Sequence, residues 1–164
     1  MLEIARAWKH APYQPLKTII FVAWAGGEQH ESLSIFEVMN AKIGFATAFE
    51  VEAVIELSGV GAGDGKAVLI AEGSSYRLSQ LFQAAGRRVG ARTTIRGNYP
   101  HTGLYQIPPK GGRSALTAKI SWEGSNALAH TPQDTTDTLD PAKIEAVGRT
   151  VFLAATVMGR EVEY

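Results

Sequence analysis

The sequence predicts a layered α/β/α domain built on a mixed, mostly parallel sheet. Two observations predict it. Apolar, partly β-branched runs of strand length alternate along the chain with segments whose apolar residues recur at helical spacing. The connections between them are short, apart from one long loop. Strands that alternate with helices form a parallel or mixed sheet covered by helices. The 164 residues fit a single domain, residues 1–164.

The first elements are a helix and a strand. Residues 2–10 are predicted to be helical, with Leu2, Ala5 and Trp8 on one face, and prolines follow directly. Residues 18–24 form a continuous apolar run, which is typical of a central strand covered on both faces.

The middle of the chain continues the alternation. A helix is predicted for residues 32–45, and strands are predicted for residues 51–57 and 67–71. The two strands are joined by the glycine-rich run GVGAGDG, residues 59–65. This run lacks the Lys-Ser/Thr of a phosphate-binding P-loop and precedes a strand. A flexible hairpin or crossover is the favoured interpretation.

The remaining elements end in a long helix. A helix is predicted from Ser74, short strands for residues 93–96 and 115–122, and a long loop for residues 98–113. Asp140-Pro141 has the pattern of a helix start, with Asp as N-cap and Pro at the first helical position. The predicted buried positions of the two helices are Leu78, Leu81, Phe82, Ala85 and Val89, then Ile144, Val147, Val151, Ala154 and Met158.

Composition excludes several classes of function. The 16 basic and 16 acidic residues cancel, so electrostatics favour neither a nucleic acid nor a membrane surface as partner. The absence of cysteine excludes disulfides, thiolate metal sites and cysteine nucleophiles. No apolar run reaches the roughly 18 to 20 residues that span a bilayer, and no signal peptide is recognised at the start. A cytoplasmic location is expected.

Polar residues follow three of the predicted strands. Because sites in open α/β sheets form at the carboxyl ends of strands, these residues are candidates for a metal site or a catalytic site. They are Glu28, His30 and Glu31 after the first strand, Glu56 and Ser58 after the second, His130 and Asp134 after the last, and His101 in the long loop. The alternative for the last group is plain turn chemistry, with His130 a loop histidine and Asp134 bonding its own backbone.

Three segments carry a resemblance to a known family. "LEIARAWKHAPYQPLKTIIFVAWAGGEQ", "VIELSGVGAG" and "SNALAHTPQDTTDTLDPAKIEAVGRTV" together resemble metallopeptidase family 28, the co-catalytic zinc aminopeptidases and their glutamate carboxypeptidase relatives. The resemblance runs in order from Leu2 to Val157. It implies a zinc-aminopeptidase-like α/β fold and a peptidase lineage.

The resemblance also implies which site residues are kept. Family members bind two zinc ions with five side chains, and the first two of these belong to motifs that normally precede the opening helix of this chain. The family's general base and the glutamate ligand after it match Gly27 and Glu28. The next ligand, an aspartate, matches Ser58, and the last matches His130. A Ser-Asp-His sequence of the family corresponds to residues 99–101, which end in His101.

This comparison predicts an N-terminally truncated relative that has lost the two-zinc peptidase activity. At most one weakly held zinc ion is expected, on Glu28 and His130, with His30 or Glu31 as a further ligand. One alternative is a rebuilt hydrolase acting on a peptide or small ester. It would use Ser58 as nucleophile, His130 or His101 as base, and Asp134 or Asp64 to orient the base.

The other alternative is one subunit of a split zinc aminopeptidase. The strands that precede the opening helix in the family have no counterpart in this sequence. Their absence predicts an exposed sheet edge and an apolar helix face. A homo-oligomer that covers them, in the form of a dimer, is expected.

Overall fold

The computed structural model describes residues 1–12, 15–23, 51–96 and 115–160 of the 164-residue chain. Its regular elements, in chain order, are helix α1 (Leu2–His10), strands β1 (Ala53–Leu57) and β2 (Val68–Ala71), helix α2 (Tyr76–Val89), strands β3 (Thr93–Arg96) and β4 (Leu116–Trp122), and helix α3 (Pro141–Arg160). The predicted helix at residues 32–45 and the predicted loop at residues 98–113 lie outside the described residues.

The four strands form one mixed sheet in the order β1-β4-β2-β3. β1 pairs with β4 and β2 pairs with β3 in parallel, whereas β2 and β4 are antiparallel. The predicted α/β fold with a mixed, mostly parallel sheet is therefore confirmed. Because β4 lies between β1 and β2, the glycine-rich connection crosses over a strand and is not a hairpin.

One face of the sheet carries the hydrophobic core. Residues directly opposite each other in a ladder share a face, and side chains alternate between faces along each strand. The ladder pairs Ile55 with Ala118 and Ile70 with Ile120 therefore put these four side chains on one face. Residues of all three described helices pack on this face. They are Ile4 and Trp8 of α1, Leu78, Phe82 and Ala85 of α2, and Val147, Val151 and Ala154 of α3.

α2 begins at Tyr76, two residues later than the sequence predicts. Ser75 is the N-cap residue, but its hydroxyl accepts a hydrogen bond from the Thr117 amide (2.9 Å) instead of capping the helix. The Ser75 amide in turn donates to the Thr117 carbonyl (2.8 Å). The helix start is thereby joined to the beginning of β4. Gly90 ends the helix with φ +75°, a left-handed conformation that glycine adopts without steric cost.

α3 starts where the Asp-Pro pair predicts. The Asp140 carboxylate accepts a hydrogen bond from the Ala142 amide (2.9 Å), and Pro141 occupies the first helical position. The predicted core positions Val147, Val151 and Ala154 are buried, but Ile144 is 42% exposed. Ile144 lies in the first turn, beside Gly61 of the glycine-rich connection.

α1 has the predicted bounds but a different buried face. Ile4 and Trp8, four residues apart, are buried, and Leu2 is 86% exposed. The Trp8 indole donates to the Thr156 hydroxyl (3.0 Å), and its ring packs against Phe152 with centroids 5.5 Å apart. Both partners belong to α3. Ile4 and Trp8 fit this contact at helical i, i+4 spacing, which leaves Leu2 outside it.

The predicted strand at residues 18–24 is wrong over its described part, residues 18–23, which are not a strand. Ile20 and Phe21 remain 43% and 40% exposed. Ile19 is packed against the core, and Phe21 contacts the ring of the core residue Trp8. A continuous apolar run measures the tendency to be buried, but a strand also needs a partner that pairs with its backbone. No described strand pairs with this segment.

In the part of the chain that the structure describes, no helix combines the length and hydropathy needed to cross a membrane.

Removal of the α3 cap tests this part of the fold. Asp140→Ala leaves the Ala142 amide without its side-chain acceptor, so we expect the free energy of unfolding in urea to fall by about 1 kcal/mol. Asp137→Ala removes an exposed carboxylate from the preceding 3-10 turn and serves as the control. Equal losses in the two variants would contradict the capping role.

Candidate active site

β1 and β4 end side by side and run in the same direction. Their register places Glu56 opposite Lys119 and Leu57 opposite Ile120. Just beyond the end of β1, the Ser58 amide donates to the Ile120 carbonyl (3.1 Å), so the pairing extends one residue further. Open α/β sheets bind ligands at the carboxyl ends of their parallel strands. The structure therefore puts Ser58 where the sequence predicts a site.

An ion pair joins these two strands on the face opposite the core. The Lys119 ammonium nitrogen lies 2.9 Å from a Glu56 carboxylate oxygen. The Lys119 side chain is only 8% exposed and that of Glu56 is 26% exposed. Lysine is almost never buried to this extent unless it is paired. Because Ser58 follows Glu56 by two residues, its side chain projects from the same face as the ion pair.

This pairing decides the role of Glu56. Glu56 lies two residues before Ser58, about 6.6 Å along the strand at roughly 3.3 Å per residue, and its one additional methylene does not cover that gap. The structure adds a second reason why Glu56 does not replace a ligand at Ser58, since its carboxylate is engaged by an ammonium group.

Sequence reasoning missed Lys119. Alternation in the segment TAKIS indicates only that Lys119 lies on the face opposite Ala118 and Ile120. That face could equally be solvated, and the β1–β4 register alone brings Lys119 opposite Glu56. Ser121 lies on the same face and is 1% exposed, so this side of β4 is polar and buried.

The glycine-rich connection is packed against the chain that follows β4. The Gly59 carbonyl accepts from the Trp122 amide (3.0 Å), and the Gly65 amide donates to the Glu123 carbonyl (3.1 Å). Gly63 has φ +115°, and a Cβ atom there would lie 2.6 Å from the Glu123 carbonyl oxygen and the Ser125 amide nitrogen. The connection is thus a close-packed crossover whose backbone groups bond to the protein, which differs from a phosphate cradle.

The same connection is tied to the start of α3. The Asp140 amide donates to the Gly61 carbonyl (2.8 Å), and the Lys143 ammonium donates to the Gly63 carbonyl (2.7 Å). The crossover after β1 therefore positions the residues that lead into α3. His130 lies in this stretch, between β4 and α3.

His130 is exposed and has φ +61°, which is uncommon for a residue other than glycine. The turn around it is organised by Thr131, whose hydroxyl donates to the Leu128 carbonyl (2.7 Å) and accepts from the Gln133 amide (3.3 Å). Turn chemistry is therefore present, but Thr131 supplies it, whereas the sequence pointed to Asp134. Asp134 is exposed and its amide donates to the Thr131 carbonyl (3.0 Å).

The structure covers part of the predicted site. Ser58, His130, Asp134 and Asp64 lie within the described residues. Gly27, Glu28, His30, Glu31 and His101 lie outside them. In the described ranges, no three His, Asp or Glu side chains are grouped so that they could hold a metal ion.

Comparison with known families identifies the lineage. The model of peptidase family M28 matches residues 1–155 of the chain. The chain belongs to peptidase family M28. The resemblance drawn from the strand ends and the His-Thr-Pro-Gln-Asp-Thr segment is therefore confirmed. Membership places this M28 chain in a peptidase-like hydrolase lineage that is typically zinc-dependent. No curated protein and no solved structure matches the chain.

The described residues do not fit a zinc pair of the family type. Zinc in proteins is bound by thiolate, imidazole and carboxylate groups. Ser58 offers a hydroxyl at the position that the resemblance assigns to a carboxylate ligand. Glu56, the nearest carboxylate on β1, is paired with Lys119. The end of β1 therefore supplies no free carboxylate ligand.

The close packing of the crossover requires glycine at position 63, and this requirement can be tested. Gly63→Ala forces a side chain into the left-handed region and against backbone atoms, so we expect the free energy of unfolding to fall by about 2 kcal/mol or more. Gly148 is the matched control, because a Cβ atom there meets nothing within 4 Å and the residue lies inside α3. Gly148→Ala should stabilise the protein by up to about 1 kcal/mol. Denaturant unfolding measures both, and a Gly63→Ala variant as stable as the unchanged chain would contradict the close packing.

Proposed function

We propose that this chain is an M28-family domain without the two-zinc peptidase activity of its lineage, an inactive relative or pseudoenzyme. The observation that carries the proposal is the donor chemistry at the end of β1. A hydroxyl, Ser58, stands at the position of a carboxylate ligand, and the neighbouring Glu56 is held by the Lys119 ammonium.

Coordination chemistry supports this conclusion. A catalytic zinc ion generally needs three protein ligands and one open position for water. By resemblance the chain keeps Glu28 and His130, and Gly27 stands where the general base belongs. A positioned general base contributes about 10²- to 10⁴-fold in rate, and glycine has no group that can take a proton. One weakly bound zinc ion, on Glu28 and His130 with His30 or Glu31, is the most that these ligands support.

The serine alternative has less support. Ser58 is half-buried at the end of β1, which suits a nucleophile. A serine hydrolase also needs a base within hydrogen-bond reach of the hydroxyl. Among the described residues, no His or Asp side chain accepts a hydrogen bond from Ser58, and His130 lies on an exposed turn. We therefore place this activity second.

Metal content and turnover test the proposal together. Purified protein, dialysed against zinc and then against metal-free buffer, is expected to hold fewer than two zinc ions per chain by elemental analysis. It should show no chelator-sensitive cleavage of aminoacyl anilides. Any single zinc ion should be lost in both Glu28→Ala and His130→Ala. Two zinc ions per chain with chelator-sensitive cleavage would refute the proposal. Ester cleavage that resists chelator and disappears in Ser58→Ala would favour the serine alternative instead.

We further propose that the chain forms a homodimer through its N-terminal segment. Five large apolar residues in the described part of this segment, residues 1–12 and 15–23, are exposed: Met1 (48%), Leu2 (86%), Leu16 (73%), Ile20 (43%) and Phe21 (40%). Apolar side chains concentrated in one segment are typical of a surface that another chain covers. A second copy is the simplest partner, because most homo-oligomers are symmetric dimers.

The dimer is tested by placing a charge in this segment. Leu16→Glu should shift the protein from dimer to monomer in multi-angle light scattering at micromolar concentration, because a carboxylate is costly to bury in an apolar interface. Tyr76→Glu, at a side chain that is 74% exposed on α2, is the control and should leave the mass unchanged. A clean monomer for the unchanged chain would end the proposal.

A further inference from the structure

The buried Lys119–Glu56 pair lies beside the strand end at which the lineage holds metal. Glu56 and Lys119 are directly opposite in the parallel ladder, and Ser58 and Ser121 follow each of them by two residues. All four side chains therefore project from the face that is opposite the core. In the described part of the chain, the Glu56 carboxylate, the Lys119 ammonium and the hydroxyl groups of Ser58 and Ser121 lie on this face.

Among the described residues, Glu56 already has a counter-charge that is not a metal ion. A carboxylate that is 26% exposed has a neutralising cation at 2.9 Å. A divalent cation placed at the same strand end would lie near the Lys119 ammonium, and like charges repel strongly where little water screens them. A cation bound at Glu56 itself would have to displace the Lys119 ammonium from that carboxylate.

We propose that the Lys119 ammonium is a built-in cation that replaces a divalent metal ion as the counter-charge of this strand end and makes the site reject such an ion. The inference rests on the proposed function, because it gives the physical reason why a metal site at this position is lost. It assigns Lys119 a role that Ser58 alone does not explain. With Ser58 restored to a carboxylate, the ammonium would still oppose the ion.

The role of the pair is specific to charge. Lys119→Gln keeps a hydrogen-bond donor beside Glu56 but removes the positive charge. The Glu56 carboxylate is then buried without a counter-ion, which destabilises the fold and makes the carboxylate an attractive ligand for a divalent cation. Glu56→Gln with Lys119→Gln removes both charges, so neither the destabilisation nor the attraction should remain.

The experiment is a four-member cycle of the full chain: unchanged, Glu56→Gln, Lys119→Gln and the double variant. The melting temperature is measured with chelator and with zinc chloride, and zinc affinity is measured by calorimetry. We expect Lys119→Gln alone to melt lower in chelator, to regain stability with zinc, and to bind zinc more tightly than the unchanged chain by on the order of tenfold. The exposed Lys66→Gln is the control for loss of a lysine charge elsewhere.

Two outcomes would overturn the inference. One is a zinc-dependent rise in the melting temperature of the unchanged chain as large as that of Lys119→Gln. The other is a Lys119→Gln variant whose melting temperature and zinc affinity do not change with zinc, while the unchanged chain binds no zinc and shows no activity. That result would contradict the inference but not the proposed function. If Lys119→Gln does not fold in chelator, refolding in zinc is compared between Lys119→Gln and the double variant that also carries Glu56→Gln. Refolding that requires both zinc and Glu56 supports the inference, and failure to refold in zinc contradicts it.

Discussion

The parallel pairing of β1 with β4 is the constraint on which the described structure depends. It sets Ile55 against Ala118 on the core face and, one residue further along each strand, Glu56 against Lys119 on the other face. A shift of this register by one residue would move every side chain of β1 to the opposite face. Ile55 would then leave the core face, and Glu56 would enter it. Packing on one face thus determines which charged groups meet on the other.

The glycine-rich crossover connects the paired ends of β1 and β4 to the start of α3. Its backbone bonds to Trp122 and Glu123 at the end of β4 and to the residues that begin α3. Close approach of backbone to backbone at Gly63 leaves no space for a side chain. The stretch that carries His130 is consequently held between two well-defined ends. Its internal turn is formed by Thr131, and the histidine lies exposed at a positive φ.

Membership of peptidase family M28 indicates a zinc-dependent peptidase lineage, whereas the described residues at the end of β1 do not favour zinc binding. This contrast is the main functional result. The family match covers nearly the whole chain, so the fold and the lineage are those of a peptidase. Activity, however, depends on a few groups of defined charge. At the end of β1, Ser58 stands at the position that the resemblance assigns to a carboxylate ligand, and the neighbouring Glu56 is paired with Lys119. A fold tolerates such changes far more readily than a metal site does. We propose that the scaffold persists here without the two-zinc peptidase chemistry of its lineage.

The sequence by itself determined the family, the fold class and most of the elements of the described residues. Helix signals that act locally were reliable, as at Asp140-Pro141, because a cap bonds to amides only two residues away. The apolar run at residues 18–23 misled, because strand formation depends on a partner that the run does not specify. For the site, the sequence predicts that Ser58 replaces a ligand of the family, because that inference depends on a single position. Only the tertiary structure decided that Lys119 is paired with Glu56, since the two residues are far apart along the chain and meet through strand register.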